Sequence, residues 1–219
     1  MADSTKIKGI FEKIAPYYDL MNNFISLNLH YPIKKISLKD LNIKPNSYVL
    51  DLCCGTGDFS KIISGISPKS KVIGFDISKN MLRLAKIKNP NGVFIEGDCT
   101  NLPFCSEFDY ITMGFGLRNI ENRSAVLSEI HKSLKNGGKF LHLDFGKHNK
   151  MSILFDYFVK VIIKITNKDT ESYLHLINSK NTYPEPEELI KEFEQAGFEL
   201  LKRKDFLFGV ISYQIMEKI

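Results

Sequence analysis

The stretch Val49-Leu50-Asp51-Leu52-Cys53-Cys54-Gly55-Thr56-Gly57-Asp58 constrains this chain more than any other. An apolar strand runs into a glycine turn, and the turn runs straight into a helix start. The next apolar run, Val72-Ile73-Gly74-Phe75, closes on Asp76. Glycine permits close backbone approach to a ligand, and a carboxylate at the end of the second strand accepts from ribose hydroxyls. The pattern is that of an adenosine site.

The same strand-helix rhythm continues. Strands are expected at Tyr48 to Leu52, Lys71 to Phe75, Val93 to Ile95, Tyr110 to Met113 and Lys139 to Phe145. A helix through Ile62 and Ile63 follows the glycine turn, and Ser78 is suited to cap a helix carrying Met81, Leu82 and Ala85. Val126, Leu127, Ile130, His131 and Leu134 fall at helical spacing, with a stop expected at Asn136-Gly137-Gly138. This alternation predicts an α/β fold with a doubly wound parallel sheet.

Ahead of the sheet, Ile7 to Leu41 reads as helical, punctuated by Pro16 and Pro32. Behind it, Ile153 to Ile165 is apolar but interrupted by Asp156, Lys160 and Lys164, which reads as a packed or interfacial helix. Pro186, Leu189, Phe193 and Gly197 mark one more helix. Phe198 to Leu201 and Val210 to Met216 read as an antiparallel hairpin completing the sheet edge. The expected organisation is one domain over 1–219, with a helical cap over 1–44 and a core over 45–219 that carries an insert near 151–183.

A chain of 219 residues is long enough for a sizeable core. Its net charge of +5 reads as a solvated, Lys-rich surface, and no block of consecutive basic residues argues for a nucleic-acid groove. The four cysteines, Cys53, Cys54, Cys99 and Cys105, form no CxxC pair. Neither a metal site nor a disulfide framework is therefore expected, and a reducing cytosol fits best. Cys53 and Cys54 read as packing at a strand end. No run of about 20 apolar residues spans a membrane, and the amino terminus lacks the apolar core of a signal peptide.

Two adenosine cofactors compete for the glycine turn. A dinucleotide site wants a third glycine, but Ser60 stands there, and Asp58 sets a negative charge where a diphosphate would bind. In a partly desolvated site that repulsion is worth on the order of a kcal/mol or more. S-adenosylmethionine carries no phosphate. Asp51 and the acidic turn of Gly55 and Gly57 could receive its ammonium, a backbone N–H its carboxylate, and Asp76 its ribose. Asp98 is placed for the adenine amino group, with the Cys99 N–H beside a ring nitrogen. Taken singly, Gly55 and Gly57 are ordinary turn glycines, Asp51 a helix-proximal cap, and Asp76 and Asp98 surface acids. All of them falling at carboxyl ends of successive strands favours the methionine cofactor.

Several runs then resemble one family. Phe11-Glu12-Lys13-Ile14-Ala15-Pro16-Tyr17-Tyr18-Asp19-Leu20-Met21-Asn22 and Ser26-Leu27-Asn28-Leu29-His30 resemble the entry segment of the quinone-biosynthesis C-methyltransferases. Leu102-Pro103-Phe104, Phe115-Gly116-Leu117-Arg118-Asn119 and Leu143-Asp144-Phe145 follow in the same order. The runs around Asp51, Ile95 to Asp98 and Thr112 to Phe115 look most like the cyanobacterial and plastid branch, which methylates demethylphylloquinone. The chain departs from the family at Tyr31-Pro32-Ile33-Lys34-Lys35 and in the tail at Tyr173-Leu174-His175-Leu176-Ile177.

The resemblance implies a class I methyltransferase with a Rossmann-like sheet, S-adenosyl-L-methionine as cofactor, and contacts from Thr56, Asp76, Asp98, Cys99 and Gly114. It implies a prenylated demethylnaphthoquinol as acceptor, with a benzoquinol or another small molecule as alternatives and a non-catalytic cofactor-binding subunit least favoured. A cytoplasmic or stromal protein touching a membrane surface, without nucleic acid and with room for a homodimer, goes with that reading.

Carbon methylation needs alignment and a deprotonated neighbouring hydroxyl. Arg118 is the first candidate, as a fixed cation near the developing phenolate, and Asn119 could orient a water or the quinol oxygen. Arg118 paired with a surface acid is the plain alternative. Tyr18, Asp19 and His30 are expected on the acceptor side, and His142 and Asp144 read as a packed polar pair on one strand face. The proton acceptor has no assignment at this stage. The apolar faces around Phe24 and Ile153 to Ile165 suit either lipid or core packing.

Overall fold

The computed structural model describes residues 4–166 and 178–219, so the run from Tyr173 to Ile177 lies outside the described residues. The sheet order is β3-β2-β1-β4-β5-β7-β6. In it β1 is Tyr48–Leu52, β2 Lys71–Asp76, β3 Val93–Glu96, β4 Phe108–Gly114, β5 Leu134–Phe145, β6 Phe198–Phe206 and β7 Ile211–Lys218. The first five strands run parallel, and β7 enters antiparallel between β5 and β6. Strand order reverses between β1 and β4, and the carboxyl ends at such a switch point form a ligand crevice.

The central parallel strands β1, β4 and β5 are covered on both faces, as crossover helices require. Leu50, Ile111 and Phe140 face one core under α6 (Arg123–Ser133) and α8 (Pro186–Gln195). Val49, Leu141, Leu143 and Tyr213 face the other, under α3 (His30–Leu41) and α4 (Asp58–Ile66). A third cluster of Ile14, Met21, Met81 and Val159 ties α1 (Ser4–Ile14) and α2 (Tyr18–Ile25) to α5 (Lys79–Lys88) and α7 (Lys150–Thr166).

The expected caps form: Ser78 Oγ accepts from the Met81 N–H at 3.2 Å and opens α5. Gly57 adopts φ +79° immediately before α4, where a Cβ would lie 2.9 Å from Ala85 Cβ, so this glycine serves both the turn and close helix packing. Pro32 does not break the second helical stretch. It sits in the first turn of α3, where its missing N–H has no intrahelical carbonyl to reach.

Two boundaries differ from the sequence reading. Helix α6 ends at Ser133 rather than at Asn136, because Leu134 already pairs with Phe108 in the sheet. Lys218 Nζ accounts for the freed carbonyls by donating to His131 O and Leu134 O, both at 2.8 Å. The last hairpin is also longer than expected. The charged run Lys202-Arg203-Lys204-Asp205 continues β6, because an edge strand leaves much of its length in solvent. Among the described residues no helix is long and apolar enough to cross a membrane.

Candidate active site

Two adjoining cavities open at the carboxyl ends of the strands. The smaller, about 270 Å³, is walled by Asp76, Ile77, Asp98, Cys99 and Asn119, with Phe11 of α1 over it. The larger, about 550 Å³, is walled by Phe59, Phe145, Phe155, Phe158, His30 and Arg118. Tyr18, Cys53, Gly55, Gly114 and Phe115 line both.

The smaller cavity brings together most of the expected cofactor residues. The Asp76 carboxylate holds the turn: its Oδ2 accepts from the Gly55 N–H at 2.8 Å and its Oδ1 from the Ser78 N–H at 2.9 Å. Burial pushes the Asp76 carboxyl up, against those N–H bonds. Each oxygen keeps a lone pair for a hydroxyl. Asp98 Oδ1 is taken by the Thr100 N–H and hydroxyl, at 2.9 and 2.8 Å. Asn119 Oδ1 is buried without a partner in this wall, an acceptor awaiting an amino group. Gly114 borders both cavities, and a Cβ there would lie 2.7 Å from Phe59 Cε2.

At three places the structure shows partners that the sequence did not. Asp51, expected to receive an ammonium, lines the larger cavity but is 1 % exposed and already bonded within the fold, with Oδ2 accepting from the Ser60 N–H and hydroxyl and Oδ1 from the Thr112 hydroxyl. Burial pushes its carboxyl up to about 6 despite those bonds. Asp51 braces the start of α4 from beneath, and Ser60 occupies the third-glycine position because its hydroxyl completes that brace.

Asp58 is not the bare charge the argument against a diphosphate assumed. Burial would raise its pKa, yet Lys34 at 2.9 Å and Lys88 at 2.6 Å hold its carboxyl well below the usual range. The same network takes Asp19 out of the cavity walls: Lys88 also meets Asp19 at 2.9 Å, and the Thr56 hydroxyl donates to Asp19 at 2.6 Å. Tyr18 and His30, by contrast, line the larger cavity as expected.

The third place is Arg118 and its neighbours. Arg118 lines the larger cavity, but its Nη1 donates to Asp144 Oδ1 at 2.9 Å and to Phe115 O at 2.6 Å. Its partner is therefore a buried acid, neither a surface acid nor a free phenolate pocket. His142 and Asp144 are not bonded to one another: His142 meets Gln214 at 2.7 Å and the Tyr183 hydroxyl at 3.0 Å. Asn119 Nδ2 also donates to Phe115 O, at 3.3 Å.

Phe115 itself stands at φ +59°, unusual for a bulky residue, and the Arg118 and Asn119 side chains hold its carbonyl in place. The Phe-Gly-Leu-Arg-Asn run is thus a clamp that sets an aromatic ring between the cavities. Its arginine and asparagine were visible in the sequence. Asp144 as counter-ion, Lys34 and Lys88 were not, since each acts across sheet layers.

The fold and the paired cavities define a class I, S-adenosylmethionine-dependent methyltransferase. The smaller cavity fits the cofactor by its donor and acceptor set: carboxylates for hydroxyls and an amino group, an unpartnered buried amide oxygen, and apolar walls for the base. The chain belongs to the ubiE/COQ5 methyltransferase family, whose model matches residues 1–218. It is 34% identical over 223 residues to the demethylmenaquinone methyltransferase of Bacillus cereus strain B4264, covering 96% of this chain and 94% of that protein.

In fold it is similar to a SAM-dependent methyltransferase from Aquifex aeolicus, with TM-score 0.65 and 16% identity over 85% of this chain and 89% of that one. It is also similar to Haemonchus contortus phosphoethanolamine N-methyltransferase 2, with TM-score 0.66 and 17% identity over 99% of this chain and 58% of that one.

Proposed function

We propose that this enzyme methylates a ring carbon of a demethylnaphthoquinol. The carrying observation is the larger cavity: aromatic-walled, large enough for a bicyclic ring, and sharing Tyr18, Cys53, Gly55, Gly114 and Phe115 with the smaller cavity beside it. The Bacillus relative's name, with the entry runs around Tyr18 and His30, supports a quinol over an amine acceptor. A menaquinone-type tail follows from that relative, whereas the likeness around Asp51 and Asp98 favours the phylloquinone branch. Both share the ring and differ in the tail.

Bound S-adenosylmethionine supplies a methyl group on a cationic sulfur. The chain's part is alignment: Asp76, Asp98, Cys99 and Asn119 hold the nucleoside, and the Gly55–Gly57 turn and Gly114 give close backbone approach. Phe115, fixed by Arg118 and Asn119, orients the acceptor ring. Arg118 adds positive potential at the acceptor oxygen, reduced by Asp144.

The cavity opens on an apolar rim drawn from three segments, where Leu27, Leu154 and Phe208 are 67%, 59% and 83% exposed. Ile153 and Tyr157 extend it along α7, and the exposed Lys160 and Lys164 follow. This supports peripheral contact with an anionic membrane that holds the substrate's tail.

The test is turnover of purified enzyme with S-adenosylmethionine and vesicles containing a reduced demethylnaphthoquinone, followed by mass spectrometry. Methylated naphthoquinone is the expected product, and comparing tails of different saturation separates the two branches. Inertness toward naphthoquinols, with turnover of a benzoquinol, an amine or a hydroxyl acceptor, would overturn the proposal.

A further inference from the structure

The reaction needs a group to take the acceptor's hydroxyl proton, and the larger cavity offers few. Arg118 is ion-paired and is not a base. Lys34 is ion-paired with Asp58, Asp58 is held by two ammonium groups, and Asp51 already accepts three bonds. The Cys99 contact and then burial push the Cys53 thiol up, and burial does the same for Cys54, so both stay protonated. His30 is different.

The His30 ring stands in the cavity wall at the start of α3. Its Nδ1 lies 2.7 Å from Ser26 Oγ. Ser26 donates its only hydroxyl proton to Asn22 O, at 2.6 Å, so towards His30 it can only accept. Nδ1 therefore carries the ring proton, and Nε2 presents a bare lone pair. Asp58 Oδ2 lies 3.9 Å from that nitrogen, too far for a hydrogen bond, and its pull on an imidazolium is opposed by the Lys34 ammonium paired with it. Ser26 fixes the tautomer and leaves Nε2 open to a proton, as a histidine base requires.

We infer that His30 is the general base, its Nε2 taking the proton of the quinol hydroxyl next to the carbon that is methylated. The inference rests on the quinol reading above. As the O–H proton moves to Nε2, the oxygen's electron pair enters the ring and the adjacent carbon bonds to the methyl group. The methyl–sulfur electron pair stays on sulfur, leaving the neutral thioether. The ring proton at that carbon then departs to water, and the oxygen recovers its proton from the imidazolium. One proton is released overall.

The charges that face the ring come from four elements: Asp19 on α2, Lys34 on α3, Asp58 on α4 and Lys88 on α5. Burial lowers the His30 pKa first, Lys34 and Lys88 lower it further, and Asp58 and Asp19 oppose them. The imidazole is accordingly neutral and competent at neutral pH.

The experiment compares wild type, His30→Gln and His30→Ala. With His30→Gln, kcat falls by about 10²-fold or more while KM and S-adenosylhomocysteine affinity hold near wild type, the latter showing an intact fold. The wild-type acidic limb disappears, replaced by a rate that rises with hydroxide, and added imidazole restores part of the His30→Ala rate. Nitrogen-15 NMR of the S-adenosylhomocysteine complex shows a protonated Nδ1 and a bare Nε2 for His30, a readout independent of turnover.

Wild-type quinol turnover matched by His30→Gln with an unchanged pH profile would overturn the assignment alone, as would a protonated Nε2 in the spectrum. A wild-type enzyme inert toward every quinol would overturn the functional reading and this assignment together.

Discussion

Replacing Asp144 by alanine leaves the Arg118 guanidinium buried and unpaired. The side chains of Arg118 and Asp144 are 6% and 0% exposed, so water cannot take the carboxylate's place. Phe115 O and the rings of Phe115 and Phe145, 5.6 and 5.1 Å from the guanidinium carbon, remain, but none carries a full charge. Breaking such a buried pair from one side costs about 3–5 kcal/mol. In a chain of this length each kcal/mol lowers the midpoint by about 2–4 °C, so Asp144→Ala is expected to melt about 6–20 °C below wild type.

Arg118→Met combined with Asp144→Leu should recover most of that loss, since Arg118 Nε and Asp144 Oδ2 are buried without partners and the pair is not fully satisfied. Thermal unfolding of the two single variants and the double variant forms the cycle. An Asp144→Ala midpoint within about 2–4 °C of wild type would refute the reasoning, because the pair would then contribute no more than about 1 kcal/mol.

Three further outcomes follow. Gly57→Ala forces a left-handed alanine and a 2.9 Å approach to Ala85 Cβ, and calorimetry should show a loss of about 2–5 kcal/mol from strain and overpacking together. Asp51, with a folded pKa of about 6, binds more protons folded than unfolded between about pH 4 and 6, so its contribution falls as pH rises through that window. Denaturant titrations should therefore show wild type losing stability relative to Asp51→Asn from pH 5 to pH 7. Ile153→Asp, on the exposed apolar face of α7 beside the rim, should weaken flotation with anionic vesicles while leaving turnover of a short-tailed, soluble quinol at the wild-type level.

What local chemistry decides was legible in the sequence. The β1 run, the glycine turn and the Ser78 cap depend on neighbours within a few residues, and the structure reproduces them. The adenosine reading also survived, because Asp76 and Asp98 follow strands whose order sets their place. Partners across layers were not legible. Lys34 and Lys88 lie 24 and 30 residues from Asp58, and Asp144 lies 26 from Arg118. Nothing periodic links such positions. For β6, alternation was masked because an edge strand tolerates charge at most positions.

The wall shared at Gly114 also separates two kinds of evolutionary freedom. The nucleoside side is built from the ends of β1, β2, β3 and β4, the continuous strand-turn-helix units of the sheet, with α1 over it. The acceptor side takes Leu27, Leu154 and Phe208 from the early helices, α7 and the β6–β7 connection, pieces outside that repeating unit. Of these, α7 and the β6–β7 connection border only the acceptor side and can be exchanged without touching the grip on the donor, whereas the early helices also wall the donor side through Phe11 and Tyr18. A graft of α7 and the β6–β7 turn from a relative is thus the shortest route to a new acceptor preference on an unchanged methyl-donor half.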